Sequence, residues 1–181
     1  MSTISVKIDD AKVKKKLGDL KDKSPRVAAK ALNKTAKDAR KKLADKARDA
    51  YTVKKGKFNA SMRIKSATAG NLDAIIRSTG SPLTLTSFSH RGGGKGAAAS
   101  AQVVKGSGFK ALNKGGIKAW KGMKGLIWQR QGAARLPIKA LTSNSIPVMI
   151  GSEKHVYGII KPDIQSDLNK NIEAEIKKLT G

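Results

Sequence analysis

RVAAKALNKTAKDARKKLADKARDA, residues 26–50, is the stretch that decides the fold class. Ala28, Leu32, Ala36, Ala39, Leu43, Ala47 and Ala50 recur every three or four residues, the repeat of an α-helix with one narrow apolar stripe. Lys30, Lys34, Lys37 and Lys41 fall together on another face. Because the stripe is mostly alanine, whatever packs there comes close to the helix backbone. Ser24-Pro25 marks the start, since serine caps helices and proline suits the first helical position.

Working outward towards the N-terminus, STISVKI (2–8) alternates in the way of a half-buried strand, with Ile4, Val6 and Ile8 on one side. Residues 9–21 predict a short helix with Val13, Leu17 and Leu20 on one face and Asp9 or Asp10 as cap. Beyond residue 50, YTVKKGKF turns the chain, and 57–62 predict one more helical turn. RIKSAT (63–68) and LDAIIRSTG (72–80) then flank Ala69-Gly70-Asn71 as a β-hairpin. Ser81-Pro82 ends its second strand, and Leu83 and Leu85 suggest a short extended piece.

After a flexible glycine-rich loop at about 89–100, AQVVKG, GFKALN, GIKAW and GLIWQRQG read as glycine-punctuated strands. Ser145–Ile150 is expected to be a last extended run. Residues 163–179 form a closing helix with Ile164, Leu168, Ile172, Ile176 and Leu179 on its apolar face, Pro162 before it and Asp163 as its cap. Helices, then antiparallel strands, then a helix imply an α+β fold. The expected architecture is a single domain over 1–181, with an N-terminal strand and helices, an antiparallel or mixed sheet, a C-terminal helix and no βαβ winding.

The charge is lopsided. The chain of 181 residues carries 38 Lys+Arg and 13 Asp+Glu, a formal net charge of +25. Residues 71–150 hold twelve basic side chains and one acid, Asp73, while 151–181 are neutral. A middle section with one carboxylate supplies neither the paired acids of a glycosidase nor a two-metal cluster. There is no cysteine, which removes disulfides, thiolate metal sites and cysteine nucleophiles, and the two histidines, His90 and His155, are too few for a histidine-rich metal site. No apolar run reaches the roughly 20 residues of a membrane helix. The acids in MSTISVKIDD, where a signal peptide is apolar, predict a protein that stays inside the cell.

Candidate motifs for phosphate loops fail on inspection. GGGK ends at Lys95, but Gly96 stands where Ser or Thr is required and Ser89 stands where the first glycine belongs. Gly106-Ser107-Gly108 has Ala111 in place of the third glycine of a dinucleotide fingerprint. Glu153 near His155, and Ser87 near His90, lack a nucleophile or partner to complete a catalytic set. The sequence predicts no enzyme and no cofactor. Trp120 and Trp128, near Arg130 and Arg135, either stack on single-stranded nucleic acid or, more simply, fill the core of an aromatic-poor chain. The Lys30–Lys41 face either grips phosphates or is only solvated.

LIWQRQGAARLPIKALTSNSIPVMI, residues 126–150, is the most specific block. An aromatic, Arg130, Gly132, Arg135-Leu136-Pro137-Ile138, then Ser145-Ile146-Pro147 and Met149, resembles the signature of the bacteriophage minor tail protein Z family. ALNKTAKDARKKL (31–43) is similar to that family's opening helix, and YTVKKGKF, the hairpin and SPLTLTSF follow in the family's order, so the likeness spans about 26–150. The glycine- and alanine-rich loop at 89–100 departs from it.

The resemblance implies a structural tail-completion protein of a long-tailed phage or prophage, similar in layout to tail-terminator and head–tail joining proteins. It would form a ring at the head-proximal end of the tail, a homo-oligomer expected to be a hexamer, with the tail tube and terminator or neck proteins as partners. Its place would be the virion tail, assembled in the host cytoplasm without a membrane. Six copies would bring about +150 charges around one axis, which an enclosed DNA end would offset. Lys30, Lys34, Lys37, Lys41, Arg91 and Lys95 are the expected DNA contacts in that channel. Arg130 and Arg135 would bond carbonyls or carboxylates of the same or a neighbouring subunit, and Pro137 and Pro147 would mark sheet edges or bulges. The alanine stripe and the neutral closing helix are expected to serve subunit packing. A free, non-specific nucleic-acid-binding protein and a tail-terminator or neck connector subunit remain the alternatives.

Overall fold

The computed structural model describes residues 2–7, 24–53, 57–93 and 97–180. The helix expected over 9–21 and Lys95 lie outside the described residues.

Helix α1 (Ser24–Ala50) is the axis about which the fold is built. Ala28, Leu32, Ala36, Ala39, Leu43 and Ala47 are buried, and Ala50 is half-buried. Burial extends past the expected stripe to Val27, Ala29, Ala31 and Ala44, because α1 is covered on more than one side. Helix α2 (Lys57–Ser61) follows as the predicted extra turn and buries Phe58.

Strands β1 (Ser2–Lys7), β2 (Met62–Lys65) and β3 (Ile75–Gly80) form an antiparallel sheet in the order β1-β3-β2. The predicted hairpin is present, with Met62 opposite Ser78 and Lys65 opposite Ile75, and its tip closes at the Thr68–Asn71 bridge. Val6 stands opposite Ile76 and Ile4 opposite Ser78 in the register. Met62, Ile76 and Ser78 are buried while Arg63, Lys65 and Arg77 are exposed, the alternation of a sheet covered on one face. Asn33 of α1 fixes the hairpin: its Nδ2 donates to the Ala67 carbonyl at 2.9 Å, and the Ala67 amide donates to Asn33 Oδ1 at 2.7 Å.

Leu83 and Thr84 continue extended, with Thr84 bridged to Thr142, but Leu85–Ser87 close into a 3₁₀ turn rather than extending. Strands β4 (Ser89–Arg91), β5 (Ser100–Gln102) and β6 (Lys110–Ala111) make a second antiparallel sheet, so strands bracket the glycine-rich segment. A two-stranded hairpin, β7 (Asn113–Lys114) and β8 (Ile117–Lys118), turns on Gly115 and Gly116, both at positive φ (60° and 77°), as the two-residue turn requires. Strands β9 (Trp120–Lys121), β10 (Ile127–Arg130) and β11 (Ile138–Ala140) form the last sheet, with β10 central. All the pairings are antiparallel, which makes the fold α+β with no mixed sheet among the described residues.

Two expectations near the C-terminus are corrected. Ser145–Ile150 is not extended: Ile146–Ile150 is a short helix, α3, with Ser145 at its cap position and Pro147 in its first turn. Ile146, Pro147, Met149 and Ile150 are buried. A short continuous apolar run fits a buried helical turn as well as a buried strand, and the Ser-x-Pro start favours the helix. Pro147 therefore marks no sheet edge.

Helix α4 (Tyr157–Thr180) begins six residues earlier than expected and contains Pro162, with Asp163 exposed inside it rather than capping it. The first turn is anchored by Val156 and Tyr157 amides donating to the Ser152 carbonyl, so the helix is already established when the proline arrives. Ile164, Leu168 and Ile172 are buried as the sequence predicts, with Ile176 packed at the margin.

Helices α1 and α4 form the principal helix–helix contact. They run antiparallel, with Lys42 beside Asp167 near one end and Lys30 and Lys34 near Glu175 at the other. The alanine stripe and the neutral closing helix are therefore spent on packing within the chain. They no longer distinguish a ring subunit from a free monomer.

Candidate nucleic-acid and subunit interfaces

The α1 stripe is exposed at all four of its lysines, Lys30, Lys34, Lys37 and Lys41, on the face away from the core. Their surroundings differ. Glu175 of α4 lies below the ordinary carboxylate range, chiefly because Lys178 Nζ donates to it at 2.6 Å. Partial burial opposes this, while the charges of Lys178, Lys30 and Lys34 add to it. The N-terminal pair of the stripe thus looks towards an acid. Lys37 and Lys41 instead border a small cavity with Arg40, Asn59 and Ile64. Lys42, one position beyond the stripe, is tied to Asp167 at 2.6 Å. That hydrogen bond raises its pKa; desolvation opposes the rise, and the charges of Asp167, Asp163 and Asp38 support it.

Arg91 is carried by a different sheet, on β4, where its guanidinium carbon stands 4.1 Å from the centroid of the Phe109 ring. This cation–π contact steadies an exposed arginine. His90 beside it directs Nδ1 to the Phe88 carbonyl at 2.9 Å, and His155 meets the Tyr51 ring edge-on. Both histidines thus have structural contacts. Among the described residues, no group of three or more His, Asp or Glu side chains is placed to hold a metal.

Trp120 and Trp128 face each other across β9 and β10 and are half-buried, so they do not fill the core. Trp128 Nε1 donates to the Met123 carbonyl at 3.0 Å. Gly122 lies against both rings: a Cβ there would stand 2.8 Å from Trp120 Nε1. Arg130, at the end of β10 opposite Ile138, and Arg135 are both exposed. Pro137 is exposed just before β11, the edge strand of its sheet, as its missing N–H requires. Leu136 beside it in sequence, and Met123 in the turn between β9 and β10, are 66% and 64% exposed, large apolar side chains left in water.

A further basic surface is assembled only by strand pairing. On the open face of the first sheet Arg63 and Arg77 stand directly opposite each other, with Lys65 two residues along β2. These three line a cavity of about 590 Å³ with Ser61 and Thr79. The signal was available, since the hairpin's register follows from its length, but the cluster is scattered in sequence and only pairing assembles it.

A family model described as prophage minor tail protein Z matches residues 9–180. The match runs past both ends of the 26–150 likeness and takes in α4. No curated protein and no solved structure matches the chain. No described helix is long and apolar enough to cross a membrane. The family is one of structural phage tail proteins, a class of virion components that associate with other tail proteins, and it fits an α+β chain whose surface is dominated by cations. With a match over nearly its whole length, the chain belongs to the prophage minor tail protein Z family.

Proposed function

We propose that the protein is a ring-forming tail-completion subunit, a homo-hexamer at the head-proximal end of a long phage or prophage tail. There it joins the tail tube to terminator or neck proteins, after assembly in the host cytoplasm, and has no catalytic role. The family match over residues 9–180 carries this reading. A net charge of +25 per chain supports a polyanion at the ring axis, because a closed ring of such subunits repels itself unless something anionic offsets the charge.

In this reading the exposed stripe of Lys30, Lys34, Lys37 and Lys41, together with Arg91 and Lys95, contacts the phosphates of the DNA end without reading sequence. Leu136, Pro137, Arg130 and Arg135 face a neighbouring subunit, which covers the apolar Leu136 side chain and gives both arginines acceptors.

The test is the mass of the purified protein by mass photometry at low and high salt, with and without a short duplex. A closed assembly of about six 19.2-kDa chains, formed alone or on tail tubes, is the expected result. A monomer that binds duplex with a steep salt dependence and never assembles, even on tail tubes, overturns the ring and favours a free nucleic-acid binder.

A further inference from the structure

Two cavities meet at the edge of the first sheet. The larger, about 590 Å³, lies on the open face and is lined by Arg63, Lys65 and Arg77. The smaller, about 270 Å³, is lined by Lys37, Arg40 and Lys41 of α1. Ile64 of the edge strand β2 is a wall of both, so the two cavities adjoin at that strand and together make up the groove considered as one site. Six cations and, among the described residues, no carboxylate line it.

We infer that this groove is the seat of a nucleic-acid phosphate backbone, an inference that rests on the reading that the protein contacts DNA. Arg63 and Arg77 are cross-strand partners, and like charges directly opposite each other weaken a ladder. Neither makes an ion pair with any described residue, so an anion between them relieves a repulsion the fold otherwise carries. Their guanidinium forks match phosphate oxygens in pairs. Arg40 is pre-positioned, since its Nη2 donates to the Asn59 carbonyl at 2.9 Å. An acidic peptide is the lesser fit. Peptide recognition draws its specificity from side-chain pockets, and here only Ile64 and Ile75 are large apolar lining residues. A phosphate backbone needs only the charges.

The assignment grades the α1 stripe: Lys37 and Lys41 lie in the binding groove beside the arginines, and Lys30 and Lys34 extend the phosphate track towards the Glu175 end of the helix pair. It also predicts that two arginines absent from the stripe contribute as much to binding as the lysines do.

The experiment is fluorescence anisotropy of a labelled 20-base-pair duplex titrated with the full chain at several salt concentrations. Wild type is compared with R63Q/R77Q, K37Q/K41Q and a charge-matched control, K154Q/K161Q, on an exposed surface elsewhere. The two groove variants are each expected to bind roughly tenfold more weakly, with the log–log salt slope reduced by about 2. The control should stay within about threefold, as expected for charges that contact no phosphate. Circular dichroism melting checks folding, and R63Q/R77Q should melt no lower than wild type because a like-charge pair has been removed.

If R63Q/R77Q binds like the control while a K30Q/K34Q variant or an Arg91 variant loses affinity, the groove is overturned and DNA contact stands. No duplex binding by wild type at low salt overturns both. If polyglutamate of equal charge binds as tightly as duplex and both lose equally in the groove variants, the site is a general anion face and the phosphate assignment is wrong.

Discussion

Asn171 on α4 donates from Nδ2 to Thr35 Oγ1 on α1 at 3.0 Å, inside the contact between the two long helices, where both residues are buried. Thr35 in turn donates to the Ala31 carbonyl one turn back at 2.9 Å. This is a polar bridge in an otherwise apolar seam, and it fixes how the helices are set along each other. Removing Asn171 leaves the bridge without its donor. N171A should therefore lower stability by about 1–3 kcal/mol. A double-mutant cycle with T35A, read by urea denaturation, should return a coupling above about 0.5 kcal/mol. Additive losses would mean that the bridge adds nothing beyond its separate contacts.

Asn33 does similar work between α1 and the hairpin, pairing with Ala67 as a strand would, one bond given and one accepted. N33D keeps the acceptor and loses the donor, and N33A loses both. Hydrogen exchange at the Ala67 amide should be fastest in N33A, slower in N33D and slowest in wild type. Equal exchange in all three would show that the backbone alone protects the turn.

Gly158 in α4 is needed for space. A Cβ there would stand 2.2 Å from the Glu153 carbonyl oxygen, a backbone atom that cannot move aside cheaply, whereas Gly70 at the hairpin tip has open space. G158A should cost at least about 1–3 kcal/mol, in the range of overpacking. G70A should be near neutral, and thermal melting compares the two.

The Lys42–Asp167 pair gives a pH signature. Lys42 has a folded pKa above its ordinary 10.5. A raised cation contributes stability that is complete below the unfolded pKa and is lost as pH rises through the folded one. Both side chains keep some exposure, so the coupling belongs in the range of about 0.2–1 kcal/mol. A K42M/D167N cycle should find it at pH 8 and lose it above the raised pKa. Glu175, whose pKa is lowered, behaves oppositely: its contribution holds above the unfolded carboxylate pKa and fades as pH falls through the folded one.

How much of this was legible depends on the range of the forces involved. Helix α1 and the β2–β3 hairpin could be read because periodicity and turn residues are local signals, and Ala28, Leu43 and Ile76 are buried as their spacing predicts. Ser145–Ile150 could not be read in the same way, since an apolar run of this length has no period to separate helix from strand, and its burial decides the matter. The start of α4 is not legible in the pattern, because Pro162 signals a boundary while the anchor that starts the helix earlier, Ser152, is not an apolar-pattern residue at all.

The binding surface divides along the same line. The lysine stripe of α1 follows from helical spacing, but the Arg63–Arg77 pair exists only through strand register, and its joining to Lys37 and Lys41 only through the placement of β2 beside α1. The alanine stripe misled in a different way: small residues report a close approach but not whether the approaching backbone belongs to the same chain.

The most direct test of the account is cryo-electron microscopy of tails assembled with and without this protein, with the wild-type chain located by difference density. The account predicts one closed ring at the head-proximal end, absent when the protein is omitted, with α1 and the open face of the first sheet turned towards the axis. Density along the tube, at the distal tip, or as isolated subunits away from the axis would contradict it.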